Sequence, residues 1–494
     1  MSRLFYILIV ATISIIFISN PFMRYPYDMW AHLIAIDNPF DYTTIPEARQ
    51  LWHSIWREIF NIISIKSSDI LLRAKIIHIT QTLIAFGAVY LFSIVVVRNI
   101  YINSSKLHQQ YMAFWSTVIW FTIFATFSMH YHHTWIMWYS ISYQITLPLF
   151  WYITALTLIL FLEKPTRVIK VFYILQIIAI SLFIIQIHSM EYIYYLFYLL
   201  SLSLIFYRET LSIIKKYFYI ILPIFFIILL YAKSYQAEDT RLLDYLSRGE
   251  FREIYNLIFY EGDIIVSGLN RASSSINELM YVILIFTILT ARYMMRSRVY
   301  LFLILTSLFI LVPLFPFTAG VSALITKINV VHRIYYSSSL YTLLPLSIYY
   351  LSIKYNIKKI EPMYIFNISM ATIIISTILY SKYLSHSHNY YKNIQSLKQS
   401  IEGSKVKFNL SDNNIATIGD ELKIYKKSYP EALFYARGDV AVVLKYIYRE
   451  NVYWRGRRGE PSLDEFYKYC NINELKECIL FNRVETLPPY QPYW

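Results

Sequence analysis

Apolar residues occur along this chain in long runs that are separated by short polar loops. A helix needs about 20 apolar residues to cross a bilayer, and a shorter run can cross when interfacial Tyr and Trp flank it. Eleven runs meet this condition, at about 4–19, 74–97, 112–129, 146–162, 168–187, 190–206, 217–232, 279–291, 299–316, 338–353 and 363–381. The pattern predicts a mainly α, polytopic transmembrane helical bundle of about 11 spans, with a tight reversal at residues 188–190.

Composition agrees with a membrane protein. The 494 residues are 57% hydrophobic and 15% charged, whereas a soluble domain carries about 25% charged residues. A formal net charge of +14 is typical of proteins that bind nucleic acid, but here the cations are scattered through short loops and form no single stripe. We therefore expect membrane lipids, and not nucleic acid, among the partners.

Lys and Arg are concentrated in every second loop. The short loops 130–145, 188–190 and 317–337 hold only Lys327 and Arg333. The alternate loops hold Arg3, Arg98, Lys106, Lys164, Arg167, Lys170, Arg208, Lys215, Lys216, Arg292, Arg296, Arg298, Lys354, Lys358 and Lys359. Because cytoplasmic loops are enriched in cations, the second set is predicted to be cytoplasmic. The first span lacks a small-x-small cleavage signal, which predicts that it is retained.

The long segments then fall on the outer side. They are loop 20–73, loop 233–278 and the C-terminal residues 385–494. Within loop 20–73, apolar residues between Ile45 and Ile65 recur every three or four positions, which predicts an amphipathic helix lying flat on the bilayer. This stripe consists of Leu51, Trp52, Ile55, Trp56, Ile59, Phe60 and Ile63.

The composition changes after residue 384. Residues 1–384 form the predicted bundle, and residues 385–494 have the ordinary composition of a small α+β extracytoplasmic domain. Both cysteines, Cys470 and Cys478, lie in this C-terminal part. Outside the cytoplasm they can form a disulfide; the alternative is two free thiols.

The first outer loop carries the most suggestive polar pair. Asp28 and His32 are four residues apart, so one helical turn would place both on the same face. A carboxylate at a membrane surface suits proton transfer to or from a lipid-borne substrate. The alternative is a solvated loop in which Asp28 caps a short helix.

Further polar residues are predicted near the outer surface. The candidates for substrate binding are His188, Glu191, Lys327, His332 and Arg333. Arginine offers planar, multi-donor contacts to a phosphate. The alternative for Arg333 is a side chain that merely snorkels to the membrane surface. The alternative for His188 and Glu191 is a pair that merely satisfies the turn. His130, His132 and His133 are weak candidates for a divalent metal; the alternative is a histidine run at headgroup level. No cofactor is otherwise indicated.

The layout resembles the GT-C superfamily of integral-membrane glycosyltransferases, including protein O-mannosyltransferases and lipid A aminoarabinose transferases. In that comparison Asp28 takes the place of the first-loop acid, and Ile45–Ile65 that of the flat helix. Residues 385–494 match the family's C-terminal domain in position only. Many members carry Asp-Asp, Asp-Glu or Glu-Asp in this loop, whereas this chain has Asp-Met-Trp-Ala-His.

The resemblance implies an inverting transferase in the plasma or inner membrane that serves cell-envelope polysaccharide biosynthesis. The donor would be a polyprenyl-phosphate-linked sugar, and the acceptor a glycan, lipid or protein. Asp28 would deprotonate the acceptor, His32 would orient it or Asp28, and Arg333 would stabilise the departing phosphate. Two alternatives are an O-antigen polymerase or ligase using Arg241, Arg248 and Arg252, and a non-enzymatic transporter or flippase for lipid-linked sugars.

The cation pattern makes a topology prediction that is independent of the chemistry. A membrane-impermeant thiol reagent applied to intact cells after reduction is expected to label Cys470 or Cys478, because residues 385–494 are predicted to lie outside. A cytoplasm-dependent reporter that is active when fused after Trp494 would contradict this topology.

Overall fold

The computed structural model describes the greater part of the chain. The described residues are 36, 47–65, 70–121, 143–163, 165–212, 278–311, 337–355, 361–383, 412–436, 463–472 and 477–481, with separate positions in 214–223 and 440–453. They are mainly helical. The predicted first span at 4–19 lies outside them.

The helices and strands are named here in chain order. The helices are α1 Glu47–Ile62, α2 Ile70–Ile100, α3 Lys106–Trp120, α4 Tyr143–Leu158, α5 Arg167–Ile205, α6 Glu278–Met294, α7 Arg298–Leu311, α8 Leu340–Lys354, α9 Pro362–Tyr383, α10 Asp412–Ser428 and α11 Leu463–Ile472. The strands are β1 Leu433–Tyr435, β2 Val452–Tyr453 and β3 Cys478–Leu480. A π-helical segment, Ile159–Glu163, extends α4.

Apolar helices are the main feature of the fold. By length and composition, three helices in the described part can cross a membrane: Ile79–Ile100, Ile145–Glu163 and Arg167–Ile187. Glu191–Ile205 and Tyr207–Lys216 meet the same criteria together, but they are bent by 100° where they join.

The chain divides into two compact units. Residues 1–81, 138–142 and 393–494 form a terminal unit, and residues 82–137 and 143–392 form a central unit. The boundary at residues 81 and 82 falls within α2. The predicted division at residue 385 stays a prediction.

The helical stretch α5 is strongly bent. An unbent helix of its 39 residues would be about 58 Å long. However, the ring of Phe206, just after its end, lies 5.6 Å from the ring of Phe161, just before its start. Tyr152 of α4 hydrogen-bonds Gln176, and Thr157 hydrogen-bonds Tyr195. The chain therefore reverses between Gln176 and Tyr195, an interval that includes the predicted turn at 188–190.

Buried hydroxyl groups join the helices at the middle of the central unit. Ser339, at the start of α8, lies 2.9 Å from Thr306 Oγ1 and 3.0 Å from Ser307 Oγ, and it donates to the Leu303 carbonyl at 3.1 Å. Thr290 and Ser347 make a similar contact between α6 and α8 at 2.8 Å. Because apolar side chains gain little by leaving lipid, such polar contacts help to fix helix pairs in a membrane.

Aromatic side chains fill the same interior. The Trp151 ring lies 4.8 Å from Phe92, 5.2 Å from Tyr341 and 5.9 Å from Tyr198. These four residues come from α2, α4, α5 and α8 and are almost completely buried. Edge-to-face contacts among them hold the four helices together.

Two ion pairs and a His–Glu contact connect the ends of several helices in the described part of the chain. Arg98 bonds Glu163 at 2.8 Å, Arg298 bonds Glu209 at 2.7 Å, and His108 Nε2 lies 3.6 Å from Glu361. Each pair joins two loops that the cation count assigns to the same side. The hydrogen bonds from Arg298 hold the pKa of the Glu209 carboxyl down from 4.5 to about 2.

The C-terminal described residues combine helices with a small sheet. Its three parallel strands lie in the order β2-β1-β3, and Phe434 is in register with Val452 and Ile479. Tyr435, Tyr453 and Phe466 form its core. A disulfide joins Cys470 on α11 to Cys478 on β3, so of the two states left open by the sequence the structure has the disulfide.

Removal of the Ser339 hydroxyl tests the interior network. Ser339→Ala leaves the Thr306 and Ser307 hydroxyls without this partner, so we expect a loss of about 1–2 kcal/mol in the free energy of unfolding in micelles. Ser116→Ala is the matched control, because among the described residues buried Ser116 bonds the Met112 carbonyl of its own helix and no neighbouring helix. Equal destabilisation by the two changes would contradict a role for Ser339 between helices.

Candidate functional site

Most of the predicted site residues lie outside the described part of the chain. They are Asp28, His32, His130, His132, His133, Lys327, His332 and Arg333, together with the outer arginines Arg241, Arg248 and Arg252. Their roles and their convergence stay predictions. The described structure nevertheless includes the amphipathic helix of the first outer loop, Ile36 of the same loop, and Glu191.

Helix α1 has an unusually wide apolar side. Trp52, Trp56 and Phe60 recur every fourth position and are buried. At about 100° per residue, the exposed Leu51, Ile55 and Ile62 form a neighbouring stripe of the same helix, and Ile62 is 79% exposed. The apolar residues thus form two adjacent stripes, one packed within the protein and one uncovered. An uncovered apolar stripe is what a helix lying on a membrane surface needs.

Polar contacts fasten α1 to the start of α2 within the terminal unit. Trp52 Nε1 donates to the buried Gln81 Oε1 at 3.1 Å. Arg73 lies 4.8 Å above the Phe60 ring and donates to the Ile65 carbonyl at 2.6 Å. These contacts satisfy polar groups that would be costly to bury alone.

The turn after α1 is closed by a left-handed residue. Ser64 has a φ of 55°, and its N–H donates to the Asn61 carbonyl at 3.1 Å, while Ile65 N–H donates to the Phe60 carbonyl at 3.0 Å. This pair of hydrogen bonds is the Schellman motif, in which glycine usually occupies the left-handed position. It ends α1 and turns the chain toward α2.

Arg57 links α1 to an earlier part of the first outer loop. Its Nε donates to the Ile36 carbonyl at 2.8 Å, and Ile36 is only 1% exposed. Ile36 is four residues after His32. The bond is therefore an anchor close in sequence to the predicted Asp28–His32 pair.

Glu191 lies in an aromatic part of α5. Its side chain is only 4% exposed, and the nearby Tyr192, Tyr195 and Tyr198 are also buried. A buried carboxylate in an apolar helix is costly and by default indicates function. The backbone at His188 is helical.

Tyr198 relates the helix of Glu191 to another predicted site segment. The Tyr198 hydroxyl donates to the Ser337 carbonyl at 2.7 Å, in a buried contact. Ser337 is four residues after Arg333 in the sequence. The chain on the C-terminal side of Lys327–Arg333 is thus held against the same arm of α5 that carries Glu191.

Among the residues that the structure describes, no three His, Cys, Asp or Glu side chains are grouped so that they could hold a metal ion. The histidine run His130, His132 and His133 lies outside those residues. The described geometry thus offers polar anchors and one buried carboxylate.

Comparison with known proteins adds no family to this picture. No protein-family model, curated protein or solved structure matches the chain. The structure itself defines a mainly helical chain with apolar helices long enough to cross a membrane. Any more specific assignment rests on the residues described above.

Arg57 and Gln81 were not indicated by any sequence pattern. Arg57 lies outside the apolar stripe of α1, and Gln81 is a single amide within an apolar run. A polar group in such a run signals that it has a partner. The identity of that partner depends on tertiary contacts between distant positions.

Loss of the Arg57 anchor should loosen the first loop. In Arg57→Gln we expect amide hydrogen exchange around Ile36 to become about tenfold faster, since a bond from a charged donor contributes about 1.5–3 kcal/mol. Glu58→Gln is the control, because Glu58 is the adjacent, exposed position on the same helix. Unchanged exchange in Arg57→Gln, or an equal increase in both variants, would show that Arg57 does not anchor the loop.

Proposed function

We propose that this protein is an integral-membrane glycosyltransferase that moves a sugar from a polyprenyl-phosphate donor to an extracytoplasmic glycan, lipid or protein acceptor. The observation that carries the proposal is the Arg57–Ile36 bond. It ties the loop containing the predicted acid Asp28 to an amphipathic helix with an exposed apolar stripe. Such a helix would keep the acid at the membrane surface, where a lipid-linked donor presents its sugar.

The inferred topology has about 11 spans, with a C-terminal α+β domain outside. The ion pairs Arg98–Glu163 and Arg298–Glu209 and the His108–Glu361 contact support it, because each joins two loops of the predicted cytoplasmic set. The Cys470–Cys478 disulfide supports an outer C-terminal part, since disulfides persist in oxidising compartments. With this topology we propose a location in the plasma or inner membrane.

The proposed reaction is a single displacement at the anomeric carbon. The acceptor oxygen forms a bond to that carbon while the bond to the polyprenyl-phosphate oxygen breaks, so the configuration inverts. Asp28 takes the proton of the acceptor hydroxyl, and the electron pair of the broken bond leaves with the phosphate. Arg333 stabilises the charge that develops there, and His32 orients Asp28.

The remaining predicted residues would bind substrate. Glu191, His188, Lys327 and His332 are proposed to contact the sugar hydroxyls or the phosphate. The Tyr198–Ser337 bond supports this grouping, because it holds the chain after Arg333 against the helix of Glu191. A polar pocket in an apolar bundle would then bind the sugar phosphate of the donor, while the polyprenyl chain of the donor stays in lipid.

Replacement of the proposed base tests the reaction. Asp28→Asn keeps the shape of the side chain but removes the base, so we expect turnover to fall by about 10²–10⁴-fold in proteoliposomes supplied with a polyprenyl-phosphate sugar. Arg333→Lys keeps the charge and loses the planar fork, so the KM for the donor should rise.

Asp37→Asn is the matched control, because Asp37 is an acid of the same loop with no proposed role. Near-normal turnover by folded Asp28→Asn protein would remove Asp28 from the mechanism. The polymerase or ligase alternative, with Arg241, Arg248 and Arg252, would then be tested next.

A further inference from the structure

The chain turns sharply after Phe206. Glu191–Ile205 and Tyr207–Lys216 are both helical and are bent by 100° relative to each other. The second of these helices is therefore nearly perpendicular to the first. We call Tyr207–Lys216 the corner helix.

Arg298 holds this corner. Its guanidinium donates to both oxygens of Glu209, at 2.7 and 2.9 Å, and to the Ile205 carbonyl at 3.0 Å. It also lies 4.1 Å above the Phe206 ring. One side chain therefore bonds both the end of Glu191–Ile205 and the first turn of the corner helix. Because the pKa of Glu209 is lowered to about 2, the pair stays charged throughout the physiological pH range.

The exposed residues of the corner helix are arranged by type. Tyr207, Leu211 and Ile214 are spaced by four and three positions, so they form one apolar stripe. Leu211 is 51% and Ile214 38% exposed. Arg208 and Lys215 are seven residues apart and flank this stripe on one edge. Helices with this arrangement lie in the interface of a membrane.

We propose that the corner helix is a binding surface for anionic phospholipid on the predicted cytoplasmic face, with Leu211 and Ile214 among the acyl chains and Arg208 and Lys215 on the headgroup phosphates. The charge complementarity selects this occupant: the flanking cations match an anionic headgroup, and the stripe matches hydrocarbon. The inference goes beyond glycosyl transfer and does not depend on it. It needs only that the preceding helix crosses the membrane.

The test uses the full-length protein in micelles that contain equal amounts of phosphatidylglycerol and phosphatidylcholine. Retained lipid is counted by native mass spectrometry. We expect wild-type protein to retain phosphatidylglycerol preferentially and to lose the preference in 1 M salt, where screening reaches about 3 Å. In the double variant Arg208→Gln, Lys215→Gln, the affinity for phosphatidylglycerol should fall by about tenfold or more.

The control is Arg292→Gln, Arg296→Gln, which removes two exposed cations from another loop of the same predicted side. It should keep the preference. An equal loss in the two double variants would show an effect of net charge alone and would overturn the proposal. So would wild-type protein with no preference, or with one that salt does not change, a measurement that requires no variant to fold.

Insertion of the stripe is tested separately. A fluorophore at Leu211→Cys should be quenched by brominated acyl chains more strongly than one at the exposed Ser212→Cys, at the cationic edge. The two native cysteines are joined in a disulfide, so the label is site-specific. Equal quenching at both sites, or none at Leu211, would overturn insertion of the stripe into lipid.

Discussion

The packing of the central unit depends on hydroxyl groups that bond one helix to another. Ser339 is the centre of this arrangement, since it contacts Thr306, Ser307 and the Leu303 carbonyl from the first residue before α8. An apolar helix in lipid can slide or rotate against its neighbour at little cost, because most of its side chains are equally suited to either surrounding. A buried hydroxyl restricts that freedom, since any shift would leave it without a partner. The aromatic contacts of Trp151 then pack around a register that the hydroxyls have fixed.

Charged residues have a different position and a different role. The pairs Arg98–Glu163 and Arg298–Glu209 are partly exposed and lie where helices end. Exposed pairs contribute little stability. Their value here is geometric: Arg298 contacts a carboxylate, a carbonyl and an aromatic face, which defines the direction in which the chain leaves α5.

Periodicity predicted much of what the structure describes. Helices α1, α4, α6 and α8 lie where the apolar runs predicted them, and the reversal within α5 falls in the expected interval. The pattern could not divide the α1 stripe into a buried and an exposed part, because Leu51 and Trp52 are equally apolar. It also could not choose between a disulfide and two thiols, since that depends on bringing α11 to β3.

The site was predicted only as a set of residue types, and contacts such as Arg57–Ile36 show why. The Arg57 side chain bonds a backbone carbonyl, and every residue of the chain carries such a carbonyl. No sequence pattern distinguishes Ile36 from the rest of the loop. Helix α1 and the corner helix nevertheless share one arrangement that a sequence does display: an apolar stripe exposed beside side chains that bond the protein. At both places a polar contact fixes the backbone beside an apolar stripe that is exposed in the described structure. Helix α1 belongs to the predicted outer loop where chemistry is proposed, whereas the corner helix belongs to the predicted cytoplasmic face.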